Sequence, residues 1–160
     1  MDLYSDFGLM LSKRYQDVDV ETECHGFQAP TELFTRYFGT GHDTILSYGW
    51  TYRADGKPML YCQYEICPEY IIREVECDAK VKSLPQFSAK YMQSPIDYCI
   101  MNPQIHSSEP VREKLGLQET PYLLCWEERI FDIEDHMVAA GTVYVHPTNM
   151  ELSVVTRFEI

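Results

Sequence analysis

The chain repeats one arrangement of elements, and that repeat limits the folds open to it. Ala29-Pro30-Thr31 supplies a proline and a capping hydroxyl ahead of a helical stretch, Glu32 to Phe38, that stops at Gly39. An aromatic-rich strand pattern (44–53), the turn Ala54-Asp55-Gly56-Lys57-Pro58 and a second strand pattern (59–66) follow. The order then returns: Pro110 to Leu115 as a short helix, Gly116 as its stop, and a hairpin of 122–131 and 137–145 around Asp132-Ile133-Glu134-Asp135. The interval between the two glycines and that between the two turns agree to within two residues. A unit of this length is half a domain rather than a solenoid repeat, so two halves should share one pseudo-symmetric sheet.

Outside the repeat, 5–16 has Phe7, Met10 and Leu11 at helical spacing, with Ser5 or Asp6 as a cap, and 18–27 alternates as a strand. Residues 83–93 predict a short helix through Leu84, Phe87 and Tyr91, and 96–105 a strand. Leu152 to Ile160 has the β-branched and aromatic content of a closing strand. The expected fold is α+β, an antiparallel sheet of two pseudo-symmetric helix-strand-turn-strand repeats with short helices covering one side of it. With 160 residues and 45% hydrophobic content, residues 1–160 are expected to form a single domain around one core.

Charge narrows the function classes. Thirteen Lys and Arg against 25 Asp and Glu leave a net charge of -12, with no basic cluster to displace counterions from a phosphate backbone, so direct nucleic-acid binding is not expected. No run approaches the roughly 18 apolar residues of a membrane span, and the acidic N-terminus lacks a signal-peptide pattern, which predicts a cytoplasmic protein without membrane contact. The six cysteines are dispersed, with no CxxC, and read as reduced, packed thiols. Cys62 and Cys67 flank apolar strand residues without a histidine nearby in sequence, so no metal and no cofactor are expected.

The ordered set of Pro30 to Gly39, Arg53 to Pro58, Pro110 to Gly116 with Thr120-Pro121-Tyr122-Leu123, Phe131-Asp132, and Arg157-Phe158-Glu159 resembles the UTRA domain. That domain is the effector-sensing part of one branch of the GntR-type transcription regulators and has the chorismate lyase-like fold. The likeness covers nearly the whole chain. It implies a small-molecule effector as partner, homodimerisation with the terminal strand as a candidate edge, and transcription regulation as the process served. Family members usually carry an N-terminal winged helix-turn-helix, which residues 1–29 do not resemble, so the chain is expected to be a sensing half or a stand-alone relative.

Departures from the family bear on the ligand. Family members typically place an acid and an arginine on the strand after the first turn, and a serine and an arginine on the strand after the second. Here these strands read Tyr61-Cys62-Gln63-Tyr64 and Ala140-Gly141-Thr142-Val143, with Gln63 and Thr142 at the arginine positions. An amide and a hydroxyl cannot neutralise a phosphate as a guanidinium does, so the resemblance implies a neutral or weakly charged ligand here. The expected ligand-binding residues are Tyr52, Tyr61, Gln63, Thr142 and Tyr144, with Gln63 and Thr142 on opposite walls of a groove between the repeats. The alternative placement puts both on a wet outer face as ordinary polar strand residues.

The enzyme of this fold, chorismate lyase, relies on an arginine and a glutamate near the positions of Gln63 and Thr142. Their absence removes the substrate's anchor and its proton donor, so no enzymatic activity and no catalytic residue are expected. The five histidines fall mainly at strand ends and turns, where solvation is the default, and Gly39-Thr40-Gly41 follows a helix rather than opening one. Glu127-Glu128 beside Arg129 reads as a solvated ion pair. An excess of 12 Tyr, 7 Phe and 2 Trp either packs beneath helices or walls a groove. The competing function is an acidic protein-interaction or chaperone-like module, which would present an exposed apolar patch instead of a groove.

Overall fold

The computed structural model describes residues 7–106, 108–117, 119 and 122–147. The expected strand over 152–160, the caps Ser5 and Asp6, Thr120-Pro121 and the Arg157-Phe158-Glu159 match lie outside the described residues. In chain order the elements are α1 (Phe7–Ser12), β1 (Val18–Gln28), α2 (Glu32–Phe38), β2 (Ile45–Ala54), β3 (Lys57–Ile66), a 3-10 turn (Pro68–Tyr70), α3 (Leu84–Tyr91), β4 (Ile96–His106), α4 (Glu109–Lys114), β5 (Leu123–Asp132) and β6 (Met137–Val145). Every pairing is antiparallel, in the order β1-β2-β3-β6-β5-β4.

That order is palindromic under the repeat, so the repeating unit also takes in the strand before each helix: β1-α2-β2-β3 and β4-α4-β5-β6. The two half-sheets are joined by the β3–β6 pairing, and Gln63↔Thr142 is the middle pair of that ladder. Gly39 and Gly116, the repeated helix stops, both adopt positive φ, 79° and 70°, where a side chain would be strained. Each repeat helix packs across the divide, α2 on β6 and α4 on β3. In the second turn the buried carboxylate of Asp132 accepts the backbone N–H groups of Glu134 and His136, both at 2.9 Å.

Helices cover both faces of the sheet, which corrects the expectation of one covered side, and the two faces differ. On one, Tyr48, Trp50 and Tyr52 from β2, Leu60, Cys62 and Tyr64 from β3, and Val143 and Val145 from β6 form the main core under α1, α3 and the segment 71–83. Gly141 is required there: a Cβ would sit 2.2 Å from the Tyr64 ring. α3 buries Leu84, Phe87, Ser88 and Tyr91, one helical stripe, and Ser83 caps it by accepting the Gln86 N–H at 3.3 Å.

The segment 71–83 is irregular, and its carbonyls are bonded from below. Tyr48 donates to the Glu76 carbonyl at 3.1 Å, the Trp50 indole to Val81 at 2.8 Å, and Tyr52 to Lys82 at 3.0 Å. This row of aromatics is thus packed core whose polar tips satisfy a loop's carbonyls. Tyr52 belongs to this row and not to a groove, which corrects its assignment as a ligand contact. Hairpin register is the reason: Tyr52 pairs with Leu60, so it shares a face with Leu60 and Cys62 and opposes that of Tyr61 and Gln63.

The expectation of reduced cysteines is also corrected. Cys24 on β1 is bonded to Cys77 in the segment 71–83, with Cα atoms 5.6 Å apart, while Cys62, Cys67, Cys99 and Cys125 are free. Dispersal in sequence misled because the edge strand β1 and the covering segment, 53 residues apart, are neighbours only in the fold. The cysteine count therefore gives no support to a reducing compartment. Cleaving this bridge frees a long loop in the unfolded chain, so reduction should cost about 2–4 kcal/mol and lower the melting temperature. Calorimetry with and without reductant, beside a non-reducing peptide map showing Cys24 joined to Cys77, checks this; an unchanged melting temperature argues against it.

Candidate functional site

The opposite face of the sheet carries α2 and α4, and between α2 and the strands lies a cavity of about 290 Å³. Gln63 and Glu65 of β3, Thr142 and Tyr144 of β6, and Cys125 and Glu127 of β5 line its floor; these are alternate positions on three adjacent strands. Thr31, Glu32, Leu33 and Arg36 form the α2 wall, and Gln104 and His106 of β4 the far rim.

Glu65 anchors the helix wall. Its carboxylate is buried, and its two oxygens accept the Thr31 backbone N–H at 3.0 Å and the Thr31 hydroxyl at 2.5 Å. Negative charge at a helix N-terminus is favourable, and here the sheet supplies it. The expected cap is corrected by this contact: the Thr31 hydroxyl donates to Glu65 and makes no capping bond to α2. At the other side of the helix, Arg36 donates to both oxygens of Glu127, at 3.0 and 2.8 Å, and Tyr37 donates to the same carboxylate at 2.7 Å. The predicted Glu127–Arg129 pair is replaced by this contact between α2 and β5. The Arg129 guanidinium lies 5.2 Å from the Tyr37 ring centre.

Gln63 and Thr142 lie side by side on the cavity floor as direct cross-strand partners, so the expectation of opposite walls is corrected. The pseudo-symmetry that makes them equivalent also makes them adjacent, since the twofold passes between β3 and β6. Gln63 is already engaged: its amide oxygen accepts the Tyr61 hydroxyl at 3.2 Å and its nitrogen donates to Ser47 at 3.3 Å. One amide N–H remains. Tyr61 shares this face, stacks on Tyr144 at 6.1 Å between centroids, and packs with Val111, Leu115 and Leu117 around α4. Lys114 bonds Glu23 and lies 4.9 Å from the Tyr61 ring centre. Tyr61 and Lys114 therefore occupy the α4 side, whereas the α2 side is open.

The cavity is acidic. Among the described residues Glu32, Glu65 and Glu127 line it against Arg36 alone of Lys and Arg, and that guanidinium is spent on Glu127. Nucleophilic chemistry is poorly served: burial pushes the Cys125 thiol up to about 11, and it donates to the Gln104 carbonyl at 3.5 Å. Sequence reasoning missed Glu65, Arg36, Glu127, Gln104 and His106. Strand parity puts Glu65 on the face of Gln63, but the loop-to-sheet contact that gives it a role leaves no local signal in the sequence.

Two further clusters lie elsewhere. Glu128, read as solvated, is buried on the core face, where Tyr64 and the Trp126 indole each donate to it at 2.7 Å. His42, read as solvated and remote from any cysteine, is half-buried with Nδ1 3.8 Å from Cys67 Sγ, and Glu69 is on the same sulfur. His146 is buried as well.

No protein-family model matches the sequence, and no curated protein matches it. Solved structures do. The effector domain of PhnF from Mycobacterium smegmatis superposes with a TM-score of 0.73 at 9% identity, covering 96% of both chains. The C-terminal domain of the histidine utilization repressor from Pseudomonas syringae pv. tomato gives 0.70 at 8% identity, over 89% of this chain and 100% of that one. The chain has the fold of the GntR-family effector domains. YydK from Bacillus subtilis, described as a possible transcriptional regulator, gives 0.68 at 13% identity over 86% of this chain, which spans 62% of the YydK chain. These identities establish likeness of fold, the chorismate lyase-like fold that the resemblance implied. No helix among the described residues is long and apolar enough to cross a membrane.

The buried Glu128 sets a pH dependence. Burial, the larger effect, raises its pKa above the ordinary 4.5 despite the lowering bonds from Trp126 and Tyr64. The folded state thus keeps this proton where the unfolded chain releases it. Its contribution is greatest at low pH and declines as pH rises from the ordinary carboxyl range to the raised value. Urea unfolding of the wild type and Glu128→Gln from about pH 4 to 8 should show the stability difference shifting toward the variant as pH rises. A difference independent of pH contradicts a raised pKa.

Proposed function

We propose that the chain is the effector-sensing domain of a transcription regulator, and that its effector is a small, uncharged or cationic polar molecule bound between α2 and the β3–β6 floor. The observation that carries this reading is the cavity itself, an open pocket at the junction of the two repeats in a fold shared with regulator effector domains. Histidine utilization and trehalose occur in the names of matched repressors, which supports a metabolite as the class of ligand. The carboxylates and the spent Arg36 favour ligands without phosphate, because a buried anion beside them would lack a free cation. Gln63, Thr142 and Tyr144 are the proposed ligand contacts, with Tyr61 positioning Gln63. The domain is proposed to catalyse no reaction and to act in the cytoplasm. Residues 1–160 are read as one sensing domain that leaves DNA contact to another segment or subunit, in keeping with the net charge of -12.

A thermal-shift panel of neutral sugars, amino acids, amines and phosphorylated sugars tests the ligand class. A true effector at about 100 times its dissociation constant stabilises the fold by about 2.7 kcal/mol. Gln63→Ala should lower that affinity by about 1–3 kcal/mol if the amide pairs with the ligand. A flat response to every class, or stabilisation only by phosphorylated sugars, overturns the reading.

The domain is further proposed to form a homodimer. Edge strand β4 exposes Tyr98, Ile100, Met101 and Ile105, the last 78% accessible, which supports a partner along this edge. Sedimentation equilibrium should show a dimer whose dissociation constant rises with Ile105→Lys; a strict monomer at high micromolar concentration rules it out.

A further inference from the structure

The open end of the β2–β3 hairpin, opposite its Asp55-Gly56 turn, holds three different metal-ligating groups. His42 precedes β2, Cys67 directly follows β3, and Glu69 lies in the 3-10 turn after it. One donor atom from each falls within 4.8 Å of the others. Nδ1 of His42 is 3.8 Å from Sγ of Cys67, and Oε1 of Glu69 is 3.2 Å from the same sulfur. Tetrahedral zinc, with bonds of about 2.3 Å to sulfur and about 2.0–2.1 Å to nitrogen or oxygen, separates such donors by about 3.5–3.6 Å. Both observed separations lie within about 0.4 Å of that figure.

The donors are held in place. The His42 ring stands edge-on to Phe34 and Phe38, at 5.3 and 5.8 Å with interplanar angles of 88°, and those two rings stack at 4.2 Å. Cys67 is fully buried against Phe34 and Ile45, and its N–H is bonded to the Val138 carbonyl at 2.9 Å. Glu69 is exposed, which leaves one side open to water as a fourth ligand. A mixed thiolate, imidazole and carboxylate set suits a borderline-soft divalent ion over calcium or magnesium.

We propose that His42, Cys67 and Glu69 form a zinc site that clips the loop between α2 and β2 to the end of β3. Because the ion braces Phe34 and Phe38, it sets the seat of α2, the helix whose other side walls the cavity. The site does not depend on the cavity's function.

Cobalt(II) titration of the purified, chelator-stripped protein under argon tests this. The expected result is one equivalent bound with a sulfur-to-cobalt charge-transfer band, bleached by zinc and retained in Cys125→Ser. Cys67→Ser should abolish the band, and His42→Gln and Glu69→Gln should each weaken affinity by about tenfold or more. The proposal is overturned if the wild type gives no band or if a folded Cys67→Ser, checked by circular dichroism, keeps it. Should Cys67→Ser unfold, wild-type affinity in both His42→Gln and Glu69→Gln is the overturning result.

Discussion

The pairing of β3 with β6 is the contact on which the architecture rests. Each half of the chain is an open sheet that exposes an unpaired edge and leaves its aromatic face half covered. Joining β3 to β6 removes two inner edges at once and makes a six-stranded sheet with one continuous core. The same ladder fixes which residues meet. Gln63 and Thr142, equivalent by repeat, become neighbours at its centre, and all the floor of the cavity is set by the alternation on either side of them.

The unequal covering of the sheet separates stability from binding. One face takes the large aromatics, the disulfide and the segment 71–83, whose carbonyls are bonded by Tyr48, Trp50 and Tyr52. Those bonds satisfy the carbonyls of Glu76, Val81 and Lys82 in the irregular loop that roofs the core. Among the described residues the other face takes two short helices, and space remains over polar strand residues. A seven-residue helix has little stability of its own, and α2 is held by Glu65 at its start, Glu127 through Arg36, and Phe34 on Ile45 and Cys67.

Pseudo-symmetry in the backbone is broken by side chains. On the α4 side, Tyr61 fills the space and Lys114 bonds Glu23, whereas on the α2 side Glu65 draws back to the helix start and Glu127 holds Arg36. One half-site is thereby closed and the other open, so the duplicated scaffold carries an asymmetric pocket. The Glu65 and Glu127 carboxylates are already bonded to protein donors, so selectivity falls to the remaining hydrogen-bonding groups and to the negative field.

The sequence by itself determined the elements and their order. The Asp55-Gly56 turn, the helix stops Gly39 and Gly116 and the strand alternation are local signals, set by backbone sterics and by the period of apolar residues. Gln63, Thr142 and Tyr144 were legible as one-face positions because parity along a strand is local too. What only the tertiary structure decided was which faces coincide. Tyr52 went to the core because hairpin register, not strand parity, ties it to Leu60. Cys24 met Cys77, Glu127 met Arg36 and His42 met Cys67 across loops, by contacts that depend on how separate elements stack and leave no periodic trace in the chain.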